Sequence, residues 1–240
     1  MNEKNINDYE ILEKEDIVLE IKEEAPEYGE SSIRWKLFQL QKDKKITKID
    51  ADHYIKQNIQ VFLTNLVSDY AISLKDKLKR EFKNIRFIIY ESIILNEWLN
   101  HQLRRNTIFI EVERFYSESF FQYLKTKIAV PLLFEPSWHD FTLYSGEITV
   151  VVQNLVTQSP IDKQNHRPKI EKLLVDLLSK DLLSLMISDE DRMMMIKEIA
   201  TTYLINPKTA RAYAKRRKNE ETLIKVLKTV PLFEKWDFSK

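Results

Sequence analysis

The sequence contains no cysteine and only two glycines, Gly29 and Gly146, in 240 residues. Without thiols neither disulfides nor thiolate metal sites can form, which suits a reducing cytosol. Scarce glycine excludes most phosphate-cradling loops, which need backbone free of Cβ at several positions, and neither a P-loop nor a dinucleotide fingerprint occurs. The four histidines, His53, His101, His139 and His166, are scattered without metal-ligand spacing. No serine or histidine sits in a recognisable nucleophile motif. We therefore expect no cofactor and no bound metal. Long apolar runs are also missing, and the opening "MNEKNINDYE" has no basic, then apolar, signal segment, so the expectation is a cytoplasmic protein without a membrane partner.

What is present is enough to fold. Hydrophobic residues make up 43% and charged residues 31%, the balance of a soluble globular chain long enough to bury a core. The net charge of +1 points to no partner, but its distribution is uneven. Residues 1–30 hold eleven Asp and Glu against three Lys. Residues 31–48 hold six Lys and Arg against one Asp, and residues 208–218 hold six and no acid. Segments of opposite sign meet at Ser31.

Periodicity predicts a short helix over 15–24, ended near Pro26 with Gly29 in the turn. A second helix follows, with Ser31 or Ser32 as N-cap and Ile33, Leu37 and Leu40 as its buried stripe. "KITKIDADHYI" fits two short strands round a tight turn, which completes the outline of a winged helix. Beyond it we expect a helix over 60–82, a buried strand at "IRFIIYES" and a short helix at "ILNEWLNHQL". "TIFIEVER", "AVPLLFEP" and "GEITVVVQNL" read as strands, "SESFFQYLKTK" as a helix, and "FTLYSGE" as a hairpin turn at Gly146. From Pro168 onward the pattern is helical, and the aromatic tail "PLFEKWDF" should dock back on the fold. The fold class is therefore α+β, with an N-terminal winged helix-turn-helix domain over 1–57 and an α/β domain ending in a helical bundle over 58–240.

Two basic segments carry the functional reading. A recognition helix needs short polar residues at its start and cations that reach phosphates. Ser31, Ser32, Arg34, Lys36, Gln39, Lys42, Lys45 and Lys48 meet that requirement, and double-stranded DNA is the partner they suggest. A solvated amphipathic face is the plainer account of the same charges. On that face, Trp35 would pack on the second domain more readily than contact bases. In "INPKTARAYAKRRK", Asn206 is an N-cap with Pro207 at the first helical position. Ala210, Tyr213 and Ala214 face inward, and Arg211, Lys215, Arg217 and Lys218 form an outer ridge. That ridge could be solvated, touch nucleic acid or dock an acidic partner.

The spacing of "SSIRWKLFQLQKDKKITKIDADHYI" resembles the start of a bacterial winged-helix family related to the AbiEi-type antitoxins of abortive-infection, or type IV toxin–antitoxin, systems. Ser31, Ser32, Trp35, Leu40 and Tyr54 carry the match. "LNEWLNHQ", "IFIEVER", "IEKLLVDLL" and "YLINPKTARAYAKRR" resemble the family's later segments in the same order. The resemblance implies an autoregulatory DNA-binding protein, with a C-terminal domain that counters a nucleotidyltransferase-like toxin; the strand "TIFIEVER" leaves open a degenerate nucleotidyltransferase-like scaffold for that domain. Where the family's wing has a basic residue and a glycine, this chain has Asp50, Ala51 and Asp52.

An enzyme would have to use Glu111 and Glu113, which alternate to one face of a strand as paired metal ligands do. Glu91 and Ser92 stand where such a site needs Gly-Ser, and no third carboxylate is evident. The expectation is a non-enzyme.

Overall fold

The computed structural model describes residues 11–56, 62–234, 236 and 238, and its architecture is mixed α+β. Strand β1 (Ile11–Glu13) runs into helix α1 (Lys14–Glu24), followed by α2 (Glu30–Lys42), β2 (Thr47–Lys48) and β3 (His53–Ile55). The three strands form an antiparallel sheet in the order β1-β3-β2. Ile17 and Ile21 of α1 meet Ile33 and Leu37 of α2, with Ile46 and Tyr54 closing a small core. Helix α2 starts at Glu30 with extended Gly29 as its N-cap, so Ser31 and Ser32 lie inside its first turn and do not cap it.

The main sheet has the order β4-β5-β7-β6, from β4 (Phe87–Glu91), β5 (Asn106–Val112), β7 (Ile148–Asn154) and β6 (Leu132–Phe134). Strand β4 is antiparallel to β5, while β5, β7 and β6 are parallel. Every residue of β4 and β5 is buried, which is why both read as continuous β-branched and aromatic runs. Alternate side chains feed two cores. Ile89, Ile108, Ile110, Val150 and Val152 pack with α3 (Asp69–Glu81) and α4 (Ser117–Lys125) on one face. Ile88, Tyr90, Phe109 and Val151 join the larger core on the other face, which includes α6 (Ile170–Leu178) and Phe141 of α5 (Trp138–Tyr144).

Several local expectations are corrected. The helix expected over 60–82 begins only at Asp69, because Ser68 caps it and the Glu91 carboxylate, 1% exposed, binds the chain before it. Glu91 accepts from the Val67 and Ser68 N–H groups at 2.5 and 3.1 Å, from Ser68 Oγ at 2.5 Å and from Asn106 Nδ2 at 2.6 Å. Residues 57–61, where the expected domain boundary falls, lie outside the described residues. The segment after β4 forms a 3-10 helix, Ser92–Glu97. Gly146 does not turn a hairpin, since α5 ends just before it and a Ser137–Asp140 capping box starts that helix. A small hairpin of β8 (Ile161–Asp162) and β9 (Arg167–Pro168) had no counterpart in the sequence reading.

The helical end comprises α6, α7 (Leu182–Leu185), α8 (Asp189–Thr202), α9 (Pro207–Arg216) and α10 (Glu220–Lys228). Helix α9 was expected to continue into "NEETLIKVLKTV", but the chain breaks at Lys218, where φ is 57°, and restarts as α10. The tail packs back as expected, with Phe233 and Phe238 buried and the Trp236 ring 4.4 Å from that of His53. The N-terminal sheet joins the rest through the same region. Ile49 and Ile55 belong to the large core, Asn206 Nδ2 donates to the Ile49 carbonyl at 2.8 Å, and Lys208 Nζ lies 3.2 Å from Asp50 Oδ2.

Replacing Glu91 removes four hydrogen bonds and strands two N–H donors. We expect Glu91→Ala to lower the free energy of unfolding by about 3 kcal/mol in urea titrations. Glu113→Ala, at a half-buried position, should cost less than about 1 kcal/mol.

Candidate functional site

Parallel strands expose a crevice at their carboxyl ends wherever neighbouring strands send their chains to opposite faces. Strands β5 and β7 do so, since β5 continues to α4 on one face and β7 leads towards α6 on the other. Their last residues are paired, Glu111 with Gln153 and Val112 with Asn154. A cavity of about 400 Å³ opens there. Glu135 and Trp138 stand on one side, Leu182 and Leu185 on another, and Lys172, Asp176, Tyr213 and Arg217 form the floor.

The floor is ionic and mostly buried. Lys172, 1% exposed, places Nζ 2.8 Å from Glu111 Oε1 and 2.5 Å from Asp176 Oδ2. Glu111 Oε1 also accepts from Tyr90 Oη at 2.7 Å and from Gln153 Nε2 at 3.3 Å. Asp176 Oδ1 accepts from Tyr213 Oη at 2.7 Å. Arg217 lies 3.5 Å from Asp176 Oδ1 through Nε and is paired with Asp181 through Nη2. The Lys172 ammonium faces the Tyr90 and Tyr213 rings at 5.5 and 5.8 Å. Burial alone would lower the Lys172 pKa, but the Asp176 and Glu111 carboxylates hold it well above the ordinary lysine range. Burial, reinforced by the Asp176 charge, pushes Asp181 up to about 7, although Arg217 and Lys172 oppose the shift. Burial and the Glu111 charge also raise the Tyr90 phenol.

The residues singled out from the sequence are dispersed. Glu111 lies in the cleft, while Glu113 lies past the end of β5 and accepts from the Arg86 N–H at 3.3 Å, so the two do not form a carboxylate pair. Glu91 and Ser92 are structural, the latter accepting from the Thr107 N–H at 2.9 Å. The expected C-terminal ridge is divided. Arg211 and Lys215 are drawn to Glu220 at 2.6 and 3.5 Å, Arg217 turns into the cleft, and Lys218 stays exposed. On α2, Ser31, Arg34 and Lys42 are exposed, as are Lys45 and Lys48 beyond it, while Ser32, Lys36 and Gln39 are half-buried. Arg34 is paired with Glu30 at 3.2 Å. Trp35 does not pack on the second domain, being 58% exposed beside Phe38 at 59%.

Lys172, Asp176 and Asp181 were not anticipated, because a Lys–Asp pair at i, i+4 reads as a surface ion pair. The segment "IEKLLVDLL" is amphipathic, with Glu171, Lys172 and Asp176 on its polar side, so the sequence carries no local signal that the structure buries that side as well. Among the described residues, no group of three or more His, Asp or Glu could hold a metal ion, and no helix is long and apolar enough to cross a membrane.

Asp181 faces Asp176, Arg217, Lys172 and the Ser184 N–H. Its folded pKa is raised above its unfolded value, so its stabilising contribution is present at low pH and lost as pH rises through about 7. With the side chain 31% exposed and partly screened, wild type should lose about 1 kcal/mol more than Asp181→Asn between roughly pH 6 and 8. Paired denaturant titrations across that range would measure the difference.

Residues 32–231 match a family of unknown function, DUF6577, and the chain belongs to that family. No curated protein matches it. Among solved structures, that of the RV2827C protein from Mycobacterium tuberculosis is similar at 13% identity. The match covers 90% of this chain and 75% of that chain, with a TM-score of 0.22.

Proposed function

We propose that this member of DUF6577 is a DNA-binding, antitoxin-like regulator that lays α2 in a major groove. The observation that carries the reading is the order β1-α1-α2-β2-β3, with β1 closing the β2–β3 hairpin through β3. In a winged helix that order leaves the second of these helices as the reader and the hairpin as the wing. Ile33 and Leu37 anchor α2 to α1, so the opposite face, with Arg34, Trp35 and Lys42, is open to solvent. The acidic α1 supplies apolar contacts beneath α2 through Ile17 and Ile21.

Phosphate contacts come from Arg34, Lys36 and Lys42, with Lys45 and Lys48 beyond them. Ser31, Ser32 and Gln39 are the groups short enough to approach base edges. Autoregulation, and opposition to a nucleotidyltransferase-like toxin, follow from the resemblance to AbiEi-type antitoxins. The main domain is read as non-catalytic. The Lys172 ammonium lies between Glu111 and Asp176, the position a divalent cation would need to use both carboxylates.

A second reading rests on Trp35 and Phe38, two exposed aromatics three residues apart on one helix. They would suit a protein partner docked on α2, since aromatic residues are enriched in the centres of such interfaces.

The test is binding to a duplex from upstream of the chain's own gene, against a scrambled duplex, over a salt series. Replacing Arg34, Lys36 and Lys42 together by alanine should weaken binding. It should also flatten the slope of log affinity against log salt by about 0.9 for each phosphate that is no longer neutralised. Absence of specific binding by wild type at low salt would overturn the DNA reading. Complex formation lost in Trp35→Ala but not in the triple variant would favour the docked partner.

A further inference from the structure

We infer that the cleft at the carboxyl ends of β5 and β7 binds a small organic cation, an alkyl amine or guanidine, held between Glu111, Glu135 and the Trp138 ring. This goes beyond the proposed role of α2 and does not depend on it. The first argument is charge. The floor holds three carboxylates, Glu111, Asp176 and Asp181, for two cations, Lys172 and Arg217. At the rim Glu135 and Lys180 add one charge of each sign. Above about pH 7, once Asp181 has given up its proton, one negative charge is left over in a mostly buried site, and such a charge is costly without a partner.

The second argument is a particular atom. The Glu111 side chain is 3% exposed and lines the cavity. Its hydrogen bonds from Tyr90, Gln153 and Lys172 all fall on Oε1, and among the described residues no donor reaches Oε2. A carboxylate oxygen that no donor reaches, on a side chain lining the cavity, suits a ligand that brings an N–H, and a charged N–H most of all.

The walls fit the same chemistry. Trp138 is 41% exposed and lines the cavity, with its ring stacked on Phe141 at 5.7 Å, and an indole in that place can attract a cation. Leu182 and Leu185 can flank a methylene chain. Glu135, a non-glycine residue at φ 43°, is held in the left-handed region while Asn154 Nδ2 donates to its carboxylate. The volume suits a molecule of the size of agmatine or spermidine.

The experiment is calorimetric titration of the full chain with agmatine and with spermidine at about pH 8 and about 0.15 M salt. Butane-1,4-diol, glutarate and AMP are the comparison ligands. The expected result is saturable binding of an amine, weakened about tenfold in Trp138→Ala and in Glu135→Gln, with no binding of diol or glutarate. Both variants change exposed rim residues, so they test the site even where Glu111→Gln does not fold. Three results would each overturn the proposal: no binding of either amine, preference for AMP, or amine binding that Trp138→Ala leaves unchanged. The last would place the cation elsewhere, on the acidic first thirty residues.

Discussion

A single buried ammonium, that of Lys172, organises the main domain. Moving it from water costs several kcal/mol, and nothing apolar could offset that. The offset comes from Glu111 on β5 and Asp176 on its own helix, with the Tyr90 and Tyr213 rings supplying further attraction. Because these groups come from β4, β5, α6 and α9, all four elements must meet within hydrogen-bond or ring-contact distance of one nitrogen. A well-packed hydrophobic cluster of equal volume would commonly be as stable. What the polar version adds is a fixed geometry and a charged floor beneath the cleft.

That floor also shows how far the sequence could be read. Strands and helices were largely legible, because burial on both faces writes a continuous apolar run and burial on one face writes a period. The interior charges were not. Glu111 and Arg217 were both picked out, but as a metal ligand and as part of an outer ridge. Their actual partners, Lys172 and Asp181, lie 61 and 36 residues away in the chain. Local spacing carries no information on such pairs. Glu91 is a similar case: its role depends on Val67 and Ser68, 24 and 23 residues earlier, whose N–H groups it binds. The delayed start of α3 is the consequence.

The acidic turn in the hairpin has a comparable explanation. Asp50 accepts from the Asp52 and His53 N–H groups at 2.8 and 2.9 Å, and its other oxygen meets Lys208. Burial tends to raise its pKa, but these hydrogen bonds outweigh burial and hold it below the usual carboxylate value. A basic residue and a glycine at this turn would lose both the turn geometry and the ion pair. The departure from the expected wing therefore serves to dock the hairpin on the start of α9. Phosphate contacts in the DNA reading consequently fall to α2 and to the lysines that follow it.

The two basic segments of the sequence are thus parts of one assembly. Helix α9 touches the hairpin near its beginning, through Asn206 and Lys208, and the cleft at its end, through Tyr213 and Arg217. Ten residues of helix span about 15 Å. Ala210, Tyr213 and Ala214 are completely buried along its inner side, so the helix is packed too closely to bend between those points. A displacement at either end would have to move the helix as a body. The small N-terminal core has its own apolar contacts between α1 and α2 and meets the rest through β1, β3 and the turn between β2 and β3. A movement of α9 would therefore reach α2 through Ile49, Asp50 and Ile55 of the hairpin, through Asp52 at Lys208, and through Ile11 of β1 and His53, which pack on the large core and on Trp236.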